Sequence, residues 1–394
     1  MGASALKVFV IAGEESGDRL AATLIAELKK RFDTVEIAGI GGDALSEHGL
    51  ASLFPMDELS IMGVSAVLRQ LPSLLRRIEQ ASKAAASFQP DVAILVDAPD
   101  FNLRVARKLR ARAPKIPIVK WVSPSVWAWR SGRAKAMVPY IDHLLALLPF
   151  EPDAHRDLGG PPCTYTGHPL LSRLHDLRPS RGERAPLAEA NPPNLLVMPG
   201  SRRSELRGHG ALFGEALSFA RQHGASFTVT VPTLPRIAED VRELVRDWPV
   251  DVAVVSGKDE RDQAFRSAHA ALVASGTSTL ELAIAGVPMV VAYKVETMML
   301  PVMPFIRIWT AVLPNLIIGR PAIREYLGNM LRPETLGAAV AMLLADTPER
   351  RAMTESLREL DAKMSTGERS PAEIAADTVL ATMAAKRGDK LLGK

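Results

Sequence analysis

The chain has 394 residues, of which 47% are hydrophobic and 23% are charged, and its formal net charge is only +4. This length is too great for one ordinary hydrophobic core, so we expect two domains, and the composition excludes a disordered chain. The single cysteine, Cys163, excludes an internal disulfide and a cysteine-based metal cluster and favours a reducing compartment.

We expect neither a signal peptide nor a membrane-spanning helix. The apolar run Lys7–Ala12 is too short for the core of a signal peptide and continues into a polar turn. The nearest candidate for a span, Met298–Ile318, is interrupted by three prolines and by Arg307, whereas a spanning helix needs about 20 predominantly apolar residues. The sequence therefore predicts a cytoplasmic protein.

The first half alternates short β-branched runs with amphipathic helices. Apolar residues recur at helical spacing over Arg19–Phe32 and Leu103–Ala113. The predicted strands are Val8–Ala12, Val35–Ile40, Val92–Val96, Ile116–Val122 and Leu144–Leu148. Continuous apolar strands that alternate with helices predict a parallel sheet covered on both faces, and such sheets bind ligands beyond the carboxyl ends of their strands.

Two glycine-rich turns follow the first two strands. In GEESGD (13–18) the glycines let the backbone turn, and the following helix presents unpaired N–H groups to an anion. The glycine spacing is not that of a dinucleotide site, and Ser16 or Asp18 is equally consistent with a plain helix N-cap. The second turn, Gly39–Gly42, would bring backbone amides close to a bound sugar phosphate.

The third strand ends in two carboxylates, within DAPDFN (97–102). Asp97 closes the strand, where its side chain would point into a cleft, and a partly desolvated carboxylate there could act as a general base on a hydroxyl. Asp100 or Asn102 is expected to cap a helix that begins near Leu103. The alternative, that both acids only cap and solvate the loop, fits the local pattern equally well.

Three of the five tryptophans lie in WVSPSVWAWR (121–130), beside a hydroxyl-rich turn and a basic helix. Tryptophans in a loop are unfavourable when exposed, so they pack either on the neighbouring core or on an apolar or sugar ligand. Core packing is the commoner outcome, although the density of tryptophans is unusual.

Positive charge is concentrated between Ser60 and Tyr140, where there are 14 Lys or Arg and only 4 Asp or Glu. Seven of these cations follow one another with no intervening acid: Arg104, Arg107, Lys108, Arg110, Arg112, Lys115 and Lys120. Such a run attracts the phosphates of nucleic acid, anionic lipid or a phosphorylated substrate. A solvated helix face accounts for it equally well.

The alternation restarts after a segment rich in Pro, Arg and Glu that we interpret as a linker. The strands predicted beyond it are Leu195–Met198, Ser226–Val231, Val252–Val255, Ala270–Ala274 and Met289–Ala292, with helices at Arg203–His223 and Ser278–Ala285. The expected divisions are an N-terminal domain at 1–177, a linker at 178–194, a C-terminal domain at 195–368, and a C-terminal helix with a basic tail at 369–394.

Two strand-to-helix turns of the second half suit a diphosphate. In PGSR (199–202) the arginine is placed to meet a diphosphate bidentately. In ASGTSTLE (274–281) the amides and the helix dipole form an anion site, and Glu281 would accept hydrogen bonds from ribose hydroxyls. Because there is no Walker lysine pattern and no metal-ligand spacing, arginine and backbone amides would neutralise a leaving diphosphate.

Together these segments resemble the lipid-A-disaccharide synthase family, from Val8 to about Leu336. The pieces that carry the resemblance are GEESGD (13–18), LSIMG (59–63), DAPDFN (97–102), VSPSVWAWR (122–130), LPFE (148–151), GHPL (167–170), PGSR (199–202), ASGTSTLE (274–281), PMVVAY (288–293) and LPN (313–315). DAPDFN followed by SPSVWAWR is a highly specific combination.

The resemblance implies a fold of the α/β class called GT-B, in which two Rossmann-like, doubly wound domains face each other across a cleft. It implies an inverting hexosyltransferase without cofactor or metal. The reaction would move 2,3-diacylglucosamine from its UDP conjugate to 2,3-diacylglucosamine 1-phosphate (lipid X), which gives a β-1′,6 disaccharide and UDP.

The resemblance also implies the site residues. Asp97 occupies the place of the family's candidate base. On the acceptor side we expect Ser16, Gly41, Gly42, Asp100, Asn102, Ser123, Trp127 and Arg130. On the UDP side we expect Gly200, Ser201, Arg202, Ser275, Gly276, Thr277, Glu281 and Asn315, the last being the asparagine of LPN.

Two positions depart from the family's pattern. Gly328 stands where the family's E-x-L-Q ends in an amide, and Val312 replaces a small residue before LPN. These departures leave open an amino-for-hydroxyl variant at the third carbon of the donor sugar.

The expected partners are UDP-diacylglucosamine, lipid X and the anionic cytoplasmic face of the inner membrane. Peripheral binding there would use the basic run and the apolar stretches Leu59–Leu75 and Met298–Trp309. Nucleic acid is not expected, and a homo-oligomer is left open. The rivals are another UDP-sugar enzyme of the same fold, such as a UDP-N-acetylglucosamine epimerase or a transferase to a different lipid acceptor, and a non-catalytic basic protein.

Overall fold

Two six-stranded sheets, paired in parallel throughout, form the framework of the protein. The computed structural model describes residues 5–59, 64–294 and 307–388. Unit 1 comprises Met1–Pro169 and Thr366–Lys394, and unit 2 comprises Leu170–Ser365. Each unit contains one of the sheets with helices around it, so the predicted α/β class is confirmed.

The sheet of unit 1 has the order β2-β1-β3-β4-β5-β6. Its strands are β1 (Ala5–Ala12), β2 (Thr34–Ile40), β3 (Val92–Val96), β4 (Ile118–Trp121), β5 (His143–Ala146) and β6 (Cys163–Tyr165). Every residue of β3 and β4 is buried. Both faces of these strands are therefore covered, which is why they read as continuous apolar runs rather than as alternating patterns.

Helices cover the two faces of this sheet. They are α1 (Glu15–Lys29), α2 (Asp43–Ser46), α3 (Val64–Phe88), α4 (Pro99–Arg112), α5 (Gly132–Met137), α6 (Glu151–Asp157) and α15 (Pro371–Arg387). Along β1, Val8 and Val10 pack in one core cluster with α1 and α15, whereas Phe9 and Ile11 pack in another with α3 and α4. The alternate residues of β1 therefore serve opposite faces.

Helix α15 belongs to unit 1 although it lies at the other end of the sequence. It begins with Ser370, whose Oγ accepts a hydrogen bond from the Glu373 amide at 3.2 Å, and it ends at Gly388 in the left-handed conformation. Val379 lies in the core beside α1, and Asp377 pairs with Arg31. The predicted C-terminal helix is thus confirmed as a helix, and it completes the first core.

The sheet of unit 2 has the order β12-β11-β10-β7-β8-β9. Its strands are β7 (Asn194–Met198), β8 (Thr228–Pro232), β9 (Val252–Val255), β10 (Ala270–Ala274), β11 (Met289–Tyr293) and β12 (Glu325–Leu327). Its helices are α7 (Leu174–Leu177), α8 (Arg203–Gln222), α9 (Ala238–Arg246), α10 (Lys258–Ser267), α11 (Ser278–Ile284), α12 (Leu313–Ile318), α13 (Pro333–Leu343) and α14 (Pro348–Met364).

The segment 178–194, interpreted as a linker from its composition, is fastened to unit 2. The guanidinium of Arg184 donates to four backbone carbonyls, those of Phe265 at 2.9 Å, Arg266 at 2.8 Å, Ala285 at 3.1 Å and Gly286 at 3.4 Å. Burial, helped by Arg350, lowers the pKa of Arg184 to about 10, so it stays charged at neutral pH. Residues 170–177, predicted in the first domain, also belong to this unit.

The ten predicted strands are confirmed, with ends displaced by up to three residues. The sequence did not predict β6 and β12, because each has three residues and no apolar run. Of the two apolar stretches, Met298–Trp309 lies largely outside the described residues, whereas in Leu59–Leu75 only residues 60–63 do, and the rest from Val64 onward forms the first turns of α3. Within the residues that the structure describes, no helix combines the length and apolar character needed to cross a bilayer.

Replacement of Arg184 tests the attachment of the segment 178–194. Arg184→Met should lower the free energy of unfolding by about 2–4 kcal/mol, because four carbonyls lose a charged donor. The exposed Arg181 is the control, and Arg181→Met should change stability by less than about 0.5 kcal/mol. Urea unfolding measures both variants, and equal stability of the two would contradict a fastened segment.

Candidate functional site

Asp97 lies where β3 ends, at the carboxyl edge of the sheet in unit 1. Its backbone is left-handed, with φ of +53°, and its amide donates to the Trp121 carbonyl at 3.0 Å. The turn of GEESGD packs directly against it, because a Cβ added to Gly13 would lie 2.2 Å from Cβ of Ala98. Partial burial and the neighbouring Asp97 raise the pKa of Glu14. The structure therefore brings the first and third predicted motifs together.

Asp100 and Asn102 have functions other than the predicted capping. Helix α4 begins at Pro99 rather than near Leu103, since proline suits the first helical position, and no side chain caps it. Asn102 is fully buried, and its Nδ2 donates to the carbonyls of Val96 and Asp97, both at 2.9 Å. Asp100 is exposed and accepts a hydrogen bond from Arg133 at 2.8 Å.

The amides expected to meet a sugar phosphate at Gly41 and Gly42 are already engaged. The Gly42 amide donates to Asp18 at 2.8 Å, as does the Ala44 amide at 2.9 Å, while the Gly41 amide donates to Ser52 Oγ at 3.2 Å. Asp18 is therefore a buried residue of α1 that holds the turn after β2 by hydrogen bonds, and it does not cap a helix.

A cavity of about 710 Å³ lies beside this turn and is lined by both glycines, by Asp18 and by Glu15. The remaining predicted residue of this region, Ser16, is exposed in the first turn of α1 and does not cap that helix. The turn therefore borders a cavity whose lining is acidic, and acidic side chains there repel a phosphate.

The three tryptophans of the motif occupy different environments. Trp121 is a core residue with no exposed surface, and its Nε1 donates to Thr166 Oγ1 at 3.1 Å. Trp127 is half-buried, donates to Glu151 Oε1 at 3.2 Å and meets the Phe150 ring edge-on. Trp129 is exposed beneath the guanidinium of Arg130, 4.1 Å from its ring centroid. Core packing therefore accounts for Trp121 alone.

Two buried ionisable groups, Lys120 and Glu151, are not predictable from the local sequence; Lys120 interacts electrostatically with Asp97, and Glu151 with Lys120. Lys120 was counted in the basic run, but it is fully buried in β4. Glu151 is also buried, and its Oε2 accepts hydrogen bonds from the amides of Leu147 and Leu148 at 3.1 and 3.0 Å. Burial raises the pKa of Glu151 to about 7, against the opposing effects of these donors and of Lys120.

Ser123 contacts His155, a residue outside the motifs of the sequence. Its Oγ lies 2.6 Å from Nε2 of His155, and both residues are buried. Burial lowers the pKa of His155 to about 4, so its ring is neutral at physiological pH. Within the described part of the chain Nδ1 of His155 has no hydrogen-bond partner, so the pair lacks the carboxylate of a nucleophilic triad. We interpret it as an anchor of the turn after β4.

The predicted UDP-side residues, except Asn315, line one cavity of about 540 Å³ at the carboxyl edge of the sheet in unit 2. They are Gly200, Ser201, Arg202, Ser275, Gly276, Thr277 and Glu281. The structure thus brings together two turns that lie far apart in sequence.

The turn after β7 is held by a carboxylate. Gly200 has φ of +130°, and a Cβ there would lie 2.3 Å from Cβ of Glu205, so only glycine fits. Glu205 Oε2 accepts hydrogen bonds from the amides of Ser201 at 2.7 Å and Arg202 at 3.3 Å. The amides of this turn therefore serve the helix start, while the guanidinium of Arg202 is exposed and forms only a long ion pair with Glu205, at 3.9 Å.

Glu281 also lines this cavity, from α11. Its Oε1 is 3.7 Å from the Arg173 guanidinium. Burial raises its pKa, and the cations Arg261 and Arg173 act in the opposite direction. Thr233, which follows β8, was not predicted, although it lines the cavity and is buried. Within the described residues its Oγ1 has no hydrogen-bond partner.

Asn315 is a structural residue rather than part of the cavity lining. It is buried on α12, its Nδ2 donates to the Ile323 carbonyl at 2.7 Å, and its Oδ1 accepts from the Ile323 amide at 2.8 Å. The nitrogen and the oxygen of its side-chain amide therefore both hold the backbone of Ile323, in the segment that leads into β12. The expectation of direct contact with the donor is not supported by this geometry.

The basic run is less exposed than its sequence indicates. Arg110 pairs with Asp142, and Arg112 donates to Ser82 at 2.9 Å and pairs with Glu79. Lys108 also donates to Glu79, at 2.9 Å. The cations of the run that face solvent without an ion pair among the described residues are Arg104, Arg107 and Lys115.

The comparison of sequences identifies related enzymes. The family described as LpxB, lipid-A-disaccharide synthetase, matches residues 8–379. A lipid-A-disaccharide synthase of Nitrobacter hamburgensis is 49% identical over 389 residues, which is 98% of each chain. One from Rhodopseudomonas palustris is 50% identical over 382 residues and 96% of each chain.

Solved structures share the architecture. UDP-GlcNAc 2-epimerase from Neisseria meningitidis, bound to UDP-GlcNAc, superposes with a TM-score of 0.59 at 14% identity over 96% of this chain and 99% of its own. MurG of Acinetobacter baumannii has a TM-score of 0.58 at 13% identity, over 95% of this chain and 99% of its own. The calicheamicin glycosyltransferase CalG4 has a TM-score of 0.57 at 17% identity, over 98% of this chain and 99% of its own. At these identities the likeness shows the fold alone, and it confirms the GT-B class.

The unpaired hydroxyl of Thr233 can be tested by a substitution of similar shape. Thr233→Val should leave the free energy of unfolding unchanged or raise it by up to about 1 kcal/mol, because no protein hydrogen bond is lost. Thr230→Val is the matched control, since its Oγ1 donates to Asn194 at 3.1 Å, and it should lower stability by about 1 kcal/mol. Urea unfolding compares the two, and an equal loss would mean that Thr233 has a partner in the free protein.

Proposed function

The chain belongs to the lipid-A-disaccharide synthase family, and we propose that it transfers 2,3-diacylglucosamine from UDP-2,3-diacylglucosamine to 2,3-diacylglucosamine 1-phosphate. The products would be the β-1′,6-linked lipid A disaccharide 1-phosphate and UDP. The observation that carries this proposal is the family match over residues 8–379, with relatives near 49% identity along the whole chain. The structural likeness to an epimerase shows only the fold, so it does not favour an epimerase reaction.

In the proposed reaction, the 6-hydroxyl oxygen of the acceptor attacks the anomeric carbon of the donor. The bond from that carbon to the diphosphate breaks, UDP leaves with the electron pair, and the hydroxyl proton passes to Asp97. A single displacement inverts the anomeric carbon and requires one base. Asp97 suits this task because it is half-buried at a strand end and its backbone is fixed on both sides, by Trp121 and by Asn102.

The cavity of unit 2 is the proposed site of the UDP portion of the donor. Arg202 and Arg261 line it and supply positive charge for the diphosphate, which is needed most as UDP departs. Glu281 would accept hydrogen bonds from ribose hydroxyls, a role that the nearby guanidinium of Arg173 supports by favouring the carboxylate. Thr233 offers a buried hydroxyl to the nucleotide.

The proposed acceptor carries two acyl chains and resides in a bilayer, so the protein must reach the membrane surface. We propose peripheral attachment to the anionic cytoplasmic face of the inner membrane. Attraction of about 1 kcal/mol per positive charge near the surface would come from the exposed cations Arg104, Arg107 and Lys115. Arg110 and Arg112 are excluded from this role because they pair with acids of the same unit.

The role of Asp97 is tested by Asp97→Asn, which removes the base while nearly preserving the side chain's shape. Turnover should fall by about two to four orders of magnitude, with little change in UDP affinity. Asp100→Asn is the control, because Asp100 is exposed and pairs with Arg133. Disaccharide formation from the two lipid substrates is measured by mass spectrometry. Near-normal turnover in Asp97→Asn would refute this assignment.

The role of Arg202 is tested by titration calorimetry with UDP. Arg202→Ala should weaken UDP binding roughly tenfold to a hundredfold, since a charge-assisted contact to a diphosphate contributes about 1.5–3 kcal/mol. Arg203→Ala is the control, because its guanidinium pairs with Asp240 at 3.0 Å. If the two variants bind UDP equally well, Arg202 does not contact the diphosphate.

Membrane attachment is tested by reversing two exposed charges. Arg104→Glu with Arg107→Glu should lower partitioning to phosphatidylglycerol vesicles by at least about tenfold, and the effect should shrink as salt is raised. The control reverses the same number of charges on α9, in Arg242→Glu with Arg246→Glu. Vesicle sedimentation measures both. Equal losses would indicate an effect of net charge, and no loss would indicate that the run is a solvated face.

A further inference from the structure

Lys120 lies inside the sheet of unit 1 with none of its surface exposed. Its strand runs between β3 and β5, with Leu95 on one side and Leu144 on the other. An ammonium group in such surroundings is costly unless it is paired or hydrogen-bonded. Burial lowers the pKa of Lys120 to about 7, and the carboxylates of Asp97 and Glu151 act in the opposite direction. Lys120 is therefore a buried cation whose charge interacts with that of the proposed base.

The ammonium of Lys120 holds the end of its own strand. Nζ donates to the carbonyls of Trp121 at 2.8 Å and Val122 at 2.9 Å. Val122 has φ of +65°, a conformation that a β-branched residue adopts only when its surroundings impose it. The two hydrogen bonds from Lys120 are part of that constraint. They hold the carbonyl that precedes the N–Cα bond of Val122 and the carbonyl that follows it, and rotation about this bond is the φ angle.

The Trp121 carbonyl, which Lys120 holds, also accepts a hydrogen bond from Asp97. The Trp121 oxygen accepts the Asp97 amide at 3.0 Å and the ammonium of Lys120 at 2.8 Å. On its other side, the Asp97 carbonyl accepts Nδ2 of the buried Asn102. The backbone of Asp97, itself left-handed at φ of +53°, is thus fixed through one buried side chain on each side. A shift of the Trp121 carbonyl would therefore move the Asp97 carboxylate.

Five other charged groups, three carboxylates and two guanidinium groups, lie around this strand end. Glu14 approaches Asp97 from the turn after β1, and Glu151 approaches Lys120 from the start of α6. Asp100 on α4 is neutralised by Arg133 at 2.8 Å and Arg130 at 3.6 Å. Glu14 therefore repels a negative charge on Asp97, whereas the buried ammonium of Lys120 attracts it.

We propose that Lys120 is a positioning residue for Asp97: it fixes the carbonyl that carries the Asp97 amide and supplies the buried positive charge that favours the Asp97 carboxylate. This inference rests on the proposed role of Asp97 as the base. Packing alone does not explain a lysine at this position. A methionine has a similar length and would fill the same space without the cost of desolvating an ammonium group.

The test uses two variants in the full-length protein. Lys120→Met removes charge and donor, and Lys120→Gln removes the charge but keeps a donor. Lys135→Met, at an exposed lysine of α5, is the control. We expect turnover to fall about tenfold to a hundredfold in Lys120→Met and less in Lys120→Gln, with unchanged UDP affinity. The melting temperature of Lys120→Met should fall moderately, because two carbonyls lose a charged donor. A lower UDP affinity in addition would overturn the inference in favour of a general structural role.

The decisive readouts are pH dependence and coupling. Below pH 7 the ammonium of Lys120 is charged, so its removal should move the acidic limb of kcat/KM to higher pH by about one unit in both variants. In an Asp97→Asn background, Lys120→Met should cause no further loss of turnover. An unmoved limb, or a full additional loss in that background, would overturn the inference. If Lys120→Met fails to fold, the acidic limb of the kcat/KM profile of Lys120→Gln decides between the two outcomes.

A readout without substrate separates this inference from the proposed reaction. If the wild type forms no disaccharide, the proposed function fails, but the titration of Asp97 can still be followed. Carboxyl ¹³C resonances of aspartate-labelled protein, assigned through Asp97→Asn, report the pH at which Asp97 ionises. A midpoint raised by about one unit in Lys120→Gln relative to the wild type supports the role of Lys120, and an unchanged midpoint overturns it.

Discussion

The requirement that every strand of a parallel sheet run in the same direction governs the arrangement of functional groups in this protein. Burial on both faces leaves no room for polar side chains along β3, so they collect where strands end. Asp97 follows β3, the hydrogen bonds of Lys120 lie at the end of β4, and Gly200 follows β7. In both units the strand ends also carry the left-handed residues that redirect the backbone, such as Val122 and Gly200.

Strands of both units were predictable because a short, continuous apolar run between two helices is typical of a strand buried in a parallel sheet. The resemblance of short motifs to one enzyme family predicted the grouping of Gly200, Arg202 and Glu281, and the cavity in unit 2 contains all three. Short edge strands were missed because three residues carry no periodicity. The attachment of residues 178–194 was missed because its composition is that of a linker, while the carbonyls that bind Arg184 come from residues about 80 to 100 positions later.

Sequence patterns could not reveal which polar groups were already engaged. A glycine turn beside a helix reads the same whether its amides meet a ligand or a carboxylate of the same chain, as at Gly42 with Asp18 and at Ser201 with Glu205. The burial of Lys120 was hidden for a related reason, because it ends a run of cations in sequence but lies inside a strand. Long-range partners decide such cases, and a local pattern contains no information about them.

Because α15 belongs to unit 1, the chain passes from one unit to the other twice, after Pro169 and after Ser365. Four side chains of this last helix, including Val379 and Met383, complete a core that begins at Leu6. During synthesis the first core therefore stays incomplete until α15 has left the ribosome, whereas unit 2 is continuous and can be completed earlier. Loss of α15 would damage the core of the first sheet rather than its nearest neighbours in sequence.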